Sequence, residues 1–464
     1  MPAGLPRQPT RIDHLVDLLS GQITSGSLKT GDRLASVRRA AEDHGVSKNT
    51  MAEAYDRLVA QGLLEARPGS GFYVTGVARR PAKLANPDVE AAVDVVSLLR
   101  EQLDQHYEVR PGDGRPPQAW MEGSEIGKFF GSFKWPKGEA IEHGYGSSWG
   151  FLPLRERIAM MLSDRAVKAG ADQVLLTYGA NHALDLIIRH YLEPGDVVFV
   201  DDPGYYPLFG KLKLAKVRMV GIRRTPDGPD LDDMATHLAQ VRPKIFFTQS
   251  QGHNPTGSSL SMGTAYGLLQ LAERHDFHVV EDDAFADILP ASAPRLAALD
   301  QLNRVLYVGT FSKTFSASLR SGFVAAAPSI TAALQDIKML TIVATSDYVE
   351  RFIYNFISSG HYVRHLRRLR GRVAEASSHA AGALTDMGLK VATPSHPGFY
   401  LWVELPPGTD ELALCRRAAA DSIFLAPGQV FAPDRSPRPP AIRVNVAHAG
   451  EPRFLDFMRG VAGG

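Results

Sequence analysis

The sequence predicts an α/β protein in which a small helical head precedes a large body built on a mostly parallel sheet. Residues 11–74 read as three helices followed by a hairpin, and from about residue 120 short apolar strands alternate with helical stretches. Between these parts, residues 77–118 are rich in proline, glycine and charged residues. We therefore expect a first domain over 1–76, a linker over 77–118 and a second domain over 119–464.

Seven candidate strands define the body. They are short and largely apolar, as expected for strands buried on both faces of a parallel sheet, and helical stretches separate several of them. The candidates are 174–177, 197–201, 217–222, 245–248, 279–281, 305–308 and 322–326. Within the linker, residues 93–107 predict one isolated helix.

Composition points to an ordinary globular protein. Hydrophobic residues make up 44% of the 464 residues and charged residues 22%, so the chain can bury a large core without disulfides or metals. The single cysteine, Cys415, excludes an internal disulfide framework and suits a reducing compartment. The first ten residues lack an apolar signal core, and no uninterrupted apolar run approaches about 18 residues. We expect a soluble cytoplasmic protein with no membrane partner.

The charge is distributed unevenly along the chain. The net charge of +1 argues against a protein that binds polyanions with its whole surface. Residues 1–80, however, hold 11 Lys and Arg against 8 Asp and Glu, so they carry +3 and the remainder carries −2. A basic head on a slightly acidic body hints at contact with nucleic acid.

The head has the pattern of a helix-turn-helix. Ser36 can cap a short helix that runs to about His44, and Ser47 can cap a second helix over 48–61. The second helix has one apolar stripe and leaves its N-terminal turn open, as in helices that place their first residues against base edges. A glycine-rich hairpin tip at 68–71 lets backbone N–H groups approach phosphates. From spacing alone, a three-helix interaction module with solvated charges is the alternative.

Three stretches of the head closely resemble the GntR winged helix. They are GDRLASVR at 31–38, GVSKNT at 45–50 and GLLEARPGSGFYV at 62–74, with Ala35 where the family commonly has proline. The resemblance implies binding to double-stranded DNA. The residues that match DNA-contacting positions are Arg33, Ser36, Arg38, Lys48, Asn49, Thr50, Arg67 and Gly69.

Lys313 is the first candidate site residue of the body, in a Gly-Thr-Phe-Ser-Lys stretch just after a predicted strand. An aldehyde cofactor needs a lysine amine to form a Schiff base. Thr310, Ser312 and Arg320 could supply the hydroxyls and the guanidinium that a nearby phosphate needs. Taken alone, the same pattern is typical of an exposed surface segment.

Four more features lie at the ends of predicted strands. Asp282 could hold a pyridinium proton, with a solvated strand end as the alternative, and Asn254 could reach a ring hydroxyl from an Asn-Pro turn of a common kind. Residues 178–182 form a strand-to-helix junction whose free N–H groups suit a phosphate. Tyr205 could stack on a flat ring or simply pack in the core.

In this order and spacing, the five features resemble a fold-type I pyridoxal-phosphate enzyme of the aspartate aminotransferase kind, from about residue 140 to the C-terminus. The resemblance implies a large domain with a mostly parallel sheet, a smaller C-terminal α+β subdomain and bound pyridoxal 5'-phosphate. By it, Lys313 forms the Schiff base, Asp282 faces the pyridine nitrogen, Asn254 the ring hydroxyl, and Tyr205 stacks on the ring. The residues that match the phosphate cradle are Gly179, Ala180, Asn181, Thr310, Ser312 and Arg320.

Three further positions follow from the same resemblance. Tyr145 matches a tyrosine that reaches the phosphate of the partner subunit, and Arg443 matches the arginine that clamps an α-carboxylate. Phe285 stands where the pattern usually carries a tyrosine whose hydroxyl tunes the Schiff base. Loss of a hydroxyl at a buried polar site costs about 1–3 kcal/mol of hydrogen bonding. We therefore expect good cofactor binding with poor transamination.

Across nearly the whole chain, the winged helix, linker and aminotransferase-like domain together resemble the MocR subgroup of GntR regulators. The resemblance implies a homodimeric transcription factor with pyridoxal phosphate as a prosthetic group and an amino compound or cofactor vitamer as effector. The alternative is a working aminotransferase that acts on an α-amino acid and a 2-oxo acid. A DNA-binding scaffold with an empty pocket is the poorest option, because the set of site residues is so complete.

The sequence predicts no metal site. One cysteine excludes a thiolate zinc cage. His361 and His365 lie four residues apart, but no glutamate follows His361 as in a metalloprotease helix. Their arginine-rich neighbours indicate a solvated helix face instead.

Overall fold

The computed structural model describes residues 10–67, 69–75, 95–122, 126–132, 144–392, 396–434 and 436–463. The chain divides into two compact units, 1–85 and 86–464. We call them the head and the body, and each is described by itself. Within the described ranges, no helix is both long and apolar enough to cross a membrane.

The head contains the three predicted helices and the hairpin. Ser36 and Ser47 accept hydrogen bonds from the backbone N–H groups of Arg39 at 3.3 Å and Thr50 at 3.1 Å, which confirms both predicted N-caps. The elements are α1 (Arg11–Thr24), α2 (Val37–Asp43), α3 (Lys48–Ala60), β1 (Leu64–Arg67) and β2 (Gly71–Val74). Pro68, in the predicted hairpin tip, lies outside the described residues.

The head has its own hydrophobic core, with α3 packed against both α1 and α2. The hydroxyl of Tyr55 donates to the carbonyl of Ala35 at 3.0 Å, at the position where the GntR pattern commonly has proline. Arg33 forms an antiparallel β-bridge with Tyr73 of β2, and this bridge joins the segment before α2 to the hairpin. The fully buried residues of the predicted α3 stripe are Met51, Ala54, Tyr55 and Leu58.

The body alternates helices and strands up to about residue 325, and its last third adds a second group of short strands. Its helices are α4 (Val95–Asp104), α5 (Gln118–Glu122), α6 (Ile126–Ser132), α7 (Leu152–Ser163), α8 (Ala180–Tyr191), α9 (Tyr206–Leu214), α10 (Leu231–Leu238), α11 (Met262–His275), α12 (Leu296–Asp300), α13 (Pro328–Ile342), α14 (Asp347–Ser358), α15 (His361–Asp386), α16 (Glu411–Ala420) and α17 (Pro452–Ala462). Its strands are β3 (Val174–Thr177), β4 (Val197–Asp202), β5 (Arg218–Thr225), β6 (Gly228–Pro229), β7 (Ile245–Thr248), β8 (His278–Asp282), β9 (Val305–Thr310), β10 (Gly322–Ala325), β11 (Lys390–Ala392), β12 (Tyr400–Glu404), β13 (Ala426–Pro427) and β14 (Ala441–Asn445).

Eight strands form the large sheet in the order β3-β10-β9-β8-β7-β4-β5-β6. The five strands from β9 to β5 in this order are parallel, whereas β10 is antiparallel to both of its neighbours and β6 is antiparallel to β5. Alternate strand residues enter different cores, with Phe246 and Val279 in one and Phe247 and Val280 in the other. The sheet is therefore mostly parallel and buried on both faces, as predicted.

The smaller C-terminal subdomain is built on a four-stranded antiparallel sheet in the order β11-β12-β14-β13. Leu401 and Val444 of this sheet share a core with Leu384 of α15, Leu414 of α16 and Phe454 of α17. This arrangement confirms the α+β subdomain that the resemblance implies. Its strands β12 and β14 carry two residues of the site described below.

The second half of the predicted linker belongs to the body, and this differs from the predicted boundary. Residues 77–94 lie outside the described part, but α4, predicted as an isolated helix, buries Leu98 in a core of the large sheet. After α4, Arg110 donates to Glu101 at 2.6 Å and to Asp113 at 3.1 Å, and all three side chains are buried. A composition rich in proline and glycine is compatible with this close packing as well as with a linker.

The prediction of a solvated face at His365 is wrong. His365 is 0% exposed, because α15 buries residues at helical spacing, and His365 lies with Tyr362, Leu366 and Leu369 on the inner face. The arginines that suggested a solvated face occupy the positions between them, where they are exposed.

Replacing Ser47 with alanine should destabilise α3 by about 1 kcal/mol, since the first turn loses its side-chain acceptor. Hydrogen exchange of the α3 amides in the full-length protein should then be about fivefold faster. Ser47→Asp, which restores an acceptor, is the matched control and should exchange at the original rate. Equal rates in the alanine variant and the original protein would contradict the capping role.

Candidate functional site

The candidate site lies where the strands of the large sheet end. In a parallel sheet the carboxyl ends of the strands meet at one edge, and ligands bind there because the loops leave polar groups free. The chain leaves β3 toward Gly179, β4 toward Tyr205, β7 toward Asn254 and β9 toward Lys313, while Asp282 is the last residue of β8. The five sequence features thus come from five strand ends of one sheet.

Gly179 is the first residue of the predicted phosphate cradle. Its φ of +76° is a conformation that favours glycine, and it precedes α8, whose first turn has no side-chain cap. The free N–H groups of Ala180 and Asn181 and the positive end of the helix dipole suit an anion. The guanidinium of Arg320 lies beside this turn, since its Nη2 donates to the carbonyl of Tyr178 at 3.1 Å.

Thr310 and Ser312 form a small hydroxyl cluster after β9. The hydroxyl of Thr310 donates to that of Ser312 at 3.1 Å and accepts from the backbone N–H of Ser312 at 3.2 Å. Gly322 of β10 allows this turn to lie close to the turn at Gly179, because a Cβ at Gly322 would lie 2.8 Å from the Cα of Gly179. The residues predicted for the phosphate therefore occupy two adjoining turns.

Asp282 and Asn254 are joined through Gln249. The side-chain amide of Gln249 donates to Asp282 Oδ2 at 2.8 Å, and its Oε1 accepts from the backbone N–H of Asn254 at 2.7 Å. Burial raises the pKa of Asp282 to about 6. A neighbouring cation would favour its ionised form.

Tyr205 lines a cavity of about 20 Å³ together with Gln249 and Asp282. Burial raises the pKa of the Tyr205 phenol far above its usual range, so the side chain is neutral. Tyr145, by contrast, is 84% exposed. The structure therefore brings Tyr205 to the other site residues, whereas Tyr145 is directed to the surface of the chain.

Lys313 lies in the turn after β9 and meets the segment that follows α4. Its Nζ donates to the carbonyl of Gly114 at 2.5 Å. Burial lowers the pKa of Lys313 from an ordinary 10.5 to about 8. A larger share of this amine is therefore neutral, and thus nucleophilic, near neutral pH than for an exposed lysine.

Arg443 is 1% exposed and comes from β14 of the small sheet. It donates from Nη1 to Asn254 Oδ1 at 2.9 Å and from Nη2 to the carbonyl of Gly112 at 2.6 Å. We call residues 110–115 the strap. The strap places one backbone carbonyl on each of the two cationic groups, that of Gly114 on Lys313 and that of Gly112 on Arg443.

The residues of the pocket fit pyridoxal phosphate. Asp282 Oδ1 is buried and has no hydrogen-bond partner among the described residues, and a protonated ring nitrogen is a donor of the kind it lacks. Lys313 would hold the aldehyde carbon, Asn254 the ring hydroxyl, and the turns at Gly179 and Thr310 the phosphate. When bound, the cofactor supplies an aldehyde that reacts reversibly with primary amines and a ring that withdraws electrons.

Several residues of the pocket were missed by the sequence reasoning. Gln249 connects two predicted residues, and Tyr400 of β12 donates from its hydroxyl to the carbonyl of Gly114 at 2.8 Å. The strap was assigned to the linker, although its paired glycines were a signal. A Cβ at Gly112 would lie 2.6 Å from the backbone nitrogen of Ala426, so only glycine fits there without a shift.

The predicted DNA-contacting residues lie near the start of α2, in the first turn of α3 and at the hairpin tip. Arg38 pairs with Glu42 at 3.5 Å, and Arg67 pairs with Glu65 at 3.1 Å, so both guanidinium groups are partly neutralised but exposed. The hydroxyl of Thr50 takes part in the α3 cap. The set comprises Arg33 before α2, Ser36 and Arg38 at the start of α2, Lys48, Asn49 and Thr50 in the first turn of α3, and Arg67 and Gly69 at the hairpin tip.

Family models match both units of the chain. The aminotransferase class I and II model matches residues 140–453, and the model of bacterial regulatory proteins of the gntR family matches residues 11–74. The probable rhizopine catabolism regulatory protein MocR of Rhizobium meliloti is 31% identical, over 78% of this chain and 74% of that protein. The uncharacterized HTH-type transcriptional regulator YdfD of Bacillus subtilis is 26% identical, over 97% of this chain and 94% of that protein.

Solved aminotransferase structures share the fold of the body. The kynurenine aminotransferase of Pyrococcus horikoshii, crystallised with PMP, has a TM-score of 0.72 at 25% identity and covers 81% of this chain and 97% of its own. LysN, the α-aminoadipate aminotransferase of Thermus thermophilus, crystallised with N-(5'-phosphopyridoxyl)-L-leucine, has a TM-score of 0.70 at 25% identity, with 81% and 96% covered. These similarities confirm the fold-type I body, and both solved relatives were crystallised with forms of the pyridoxal phosphate cofactor.

The rate at which the cofactor-free protein takes up pyridoxal phosphate should rise with pH, with a midpoint near pH 8, and level off above it. The reason is that the pKa of Lys313 is about 8 and only the neutral amine attacks an aldehyde. Stopped-flow absorbance of the yellow band measures this rate, with Lys313→Arg as the control that develops no band. A midpoint near 10.5, as for an ordinary lysine, would contradict the buried setting of Lys313.

Asp282→Ala should weaken binding of pyridoxal phosphate about tenfold or more, because a charge-assisted hydrogen bond to the ring nitrogen is lost. Equilibrium dialysis or quenching of protein fluorescence gives the dissociation constant. The matched control is Asp202→Asn at the end of β4, which pairs with Arg438 outside the pocket and should leave the affinity unchanged. If both variants bind pyridoxal phosphate with equal affinity, Asp282 does not contact the cofactor.

Proposed function

Since the chain belongs to the MocR-like regulators, in which a GntR DNA-binding domain is joined to an aminotransferase class I and II domain, we propose that it is a transcription factor that senses an amino compound through pyridoxal phosphate on Lys313. The observation that carries this proposal is the pair of contacts made by the strap. The two groups that would recognise an amino acid, Lys313 and Arg443, each hold a carbonyl of the segment that leads to the head.

The pocket supports an effector with a primary amine and a carboxylate. The effector amine competes with the Lys313 amine, and the effector carboxylate competes with the Gly112 carbonyl for Arg443. Success in the first competition frees the Lys313 amine, which can then donate to the Gly114 carbonyl, and success in the second removes the present partner of the Gly112 carbonyl. Amines without a carboxylate, including cofactor vitamers, would compete with the Lys313 amine but not with the Gly112 carbonyl for Arg443.

The strap is well placed to transmit the change. Asn445 donates to the carbonyls of Asp113 at 2.9 Å and Arg115 at 2.8 Å, and the N–H of Gly112 donates to the carbonyl of Phe424 at 2.8 Å. These bonds fix one arrangement of the strap while its glycine carbonyls hold the cationic groups. An effector that binds another arrangement more tightly changes DNA affinity by at most the difference between its binding free energies for the two arrangements.

A homodimer completes the proposal. The 84% exposure of Tyr145 supports its assignment to the phosphate of a partner subunit. Two heads would then address two DNA half-sites, as in other helix-turn-helix dimers. Since DNA is the partner of the head, we place the protein in the cytoplasm of a bacterial cell.

Lys313→Ala should abolish the yellow band and leave DNA binding measurable, but DNA affinity should no longer respond to amino acids. The substitution removes the amine that attaches the cofactor and leaves the sequence of the head unchanged. Fluorescence anisotropy on a duplex selected from a random pool measures affinity, with Lys213→Ala on the exposed side of α9 as the control. A variant that still responds to amino acids, or that loses DNA binding while its circular dichroism is unchanged, would overturn the sensor proposal.

Lys48→Ala should weaken DNA binding and lower the salt slope of log K by about 0.9 if its amine neutralises one phosphate. Lys29→Ala, also exposed in the head but outside the predicted contact set, should leave the slope unchanged. Titrations at several salt concentrations give both slopes. The same slope in the two variants would remove Lys48 from the phosphate contacts.

A further inference from the structure

Phe285 stands at a position of the pocket where the resemblance implies a residue with a hydroxyl group. It is 4% exposed, and its ring packs against Phe399 and, edge to face, against Tyr400, with both pairs of ring centroids 5.5 Å apart. It carries no hydroxyl, although the resemblance assigns one to this position. Phe285 instead forms a wall against which the ring of Tyr400 rests.

Tyr400 brings a hydroxyl to the same pocket from another direction. It is the first residue of β12, pairs with Asn445 of β14 in the small sheet, and is 1% exposed. The guanidinium of Arg443 lies 4.8 Å from the centre of its ring. Burial raises the pKa of the Tyr400 phenol far above its usual range, so the hydroxyl keeps its proton and acts as a donor.

The hydroxyl of Tyr400 and the amine of Lys313 share one acceptor. Tyr400 donates to the carbonyl of Gly114 at 2.8 Å and Lys313 donates to it at 2.5 Å, so both donors surround one oxygen atom. A hydroxyl can redirect its proton by rotation about the C–O bond and can also accept hydrogen bonds. Tyr400 can therefore serve a group attached to Lys313 without moving its ring.

We infer that Tyr400 supplies the hydroxyl beside the cofactor–Lys313 linkage, in place of the one that Phe285 lacks. Tyr400 thereby stabilises the unprotonated form of the linkage, and Phe285 holds its ring in position. This inference rests on the cofactor-binding part of the proposed function and not on effector sensing. The other charged groups around Lys313 are Asp113, Arg115, Asp282 and Arg443, and the substitutions below alter none of them.

Titration of the yellow band with pH tests the inference. In the cofactor-loaded protein, Tyr400→Phe should raise the pKa of the linkage by about one unit or more, since one buried hydrogen bond is lost. Adding Phe285→Tyr to this variant should reverse most of the rise. If Tyr400 only supports the strap, the pKa stays within about half a unit of the original and the inference is overturned. A rise that Phe285→Tyr does not reverse overturns it as well.

Phe285→Tyr alone gives an independent test that holds even if Tyr400→Phe does not fold. With Tyr400 present the pocket already has its hydroxyl, so the pKa of the linkage should fall by less than about half a unit. A fall of about one unit or more would show that no hydroxyl was there before, and would overturn the inference. Absence of a yellow band in the unmodified protein would overturn both the inference and the cofactor assignment, and it is readily told from an unshifted band.

Discussion

Two buried cationic groups need partners, and the arrangement of the pocket follows from how they obtain them. A guanidinium or ammonium group without an acceptor is costly inside a protein. Here backbone carbonyls of the strap accept from Arg443 and Lys313, while Asn254 accepts the second guanidinium bond. Carbonyls are weaker acceptors than carboxylates for such groups. The strap thus supplies one acceptor to each group, and a carboxylate can displace the one on Arg443, whose buried Nε has no hydrogen-bond partner among the described residues.

The large sheet explains why these groups converge. Its central strands are buried on both faces, so polar side chains are confined to their ends. Asp282 ends β8, and Lys313 and Asn254 follow β9 and β7 within a few residues. The small sheet adds Arg443 from β14, which bonds Asn254, and Tyr400 from β12, which shares the Gly114 carbonyl with Lys313. The site therefore needs both subdomains of the body in their observed arrangement.

Features that depend on neighbouring residues could be predicted from the sequence. The caps at Ser36 and Ser47, the buried stripe of α3 and the positions of the central strands follow from local spacing, and the motifs around Lys313 and Asp282 identified the cofactor. The paired glycines of the strap indicate a close approach but do not identify its partners, which lie hundreds of residues away. Tyr400 was missed for the same reason, and His365 because arginines at the intervening helix positions concealed a buried face.

The most direct test of the central claim measures amino-acid binding and DNA binding on one sample. Changes in the yellow band give the dissociation constant of each amino compound in a panel, with and without the selected duplex. If the protein is a sensor, at least one compound shifts the band persistently. DNA should then change the affinity of the protein for that compound by the same factor by which the compound changes the affinity of the protein for DNA. A band that bleaches, returns on addition of a 2-oxo acid and is indifferent to DNA would mark an aminotransferase and contradict the account.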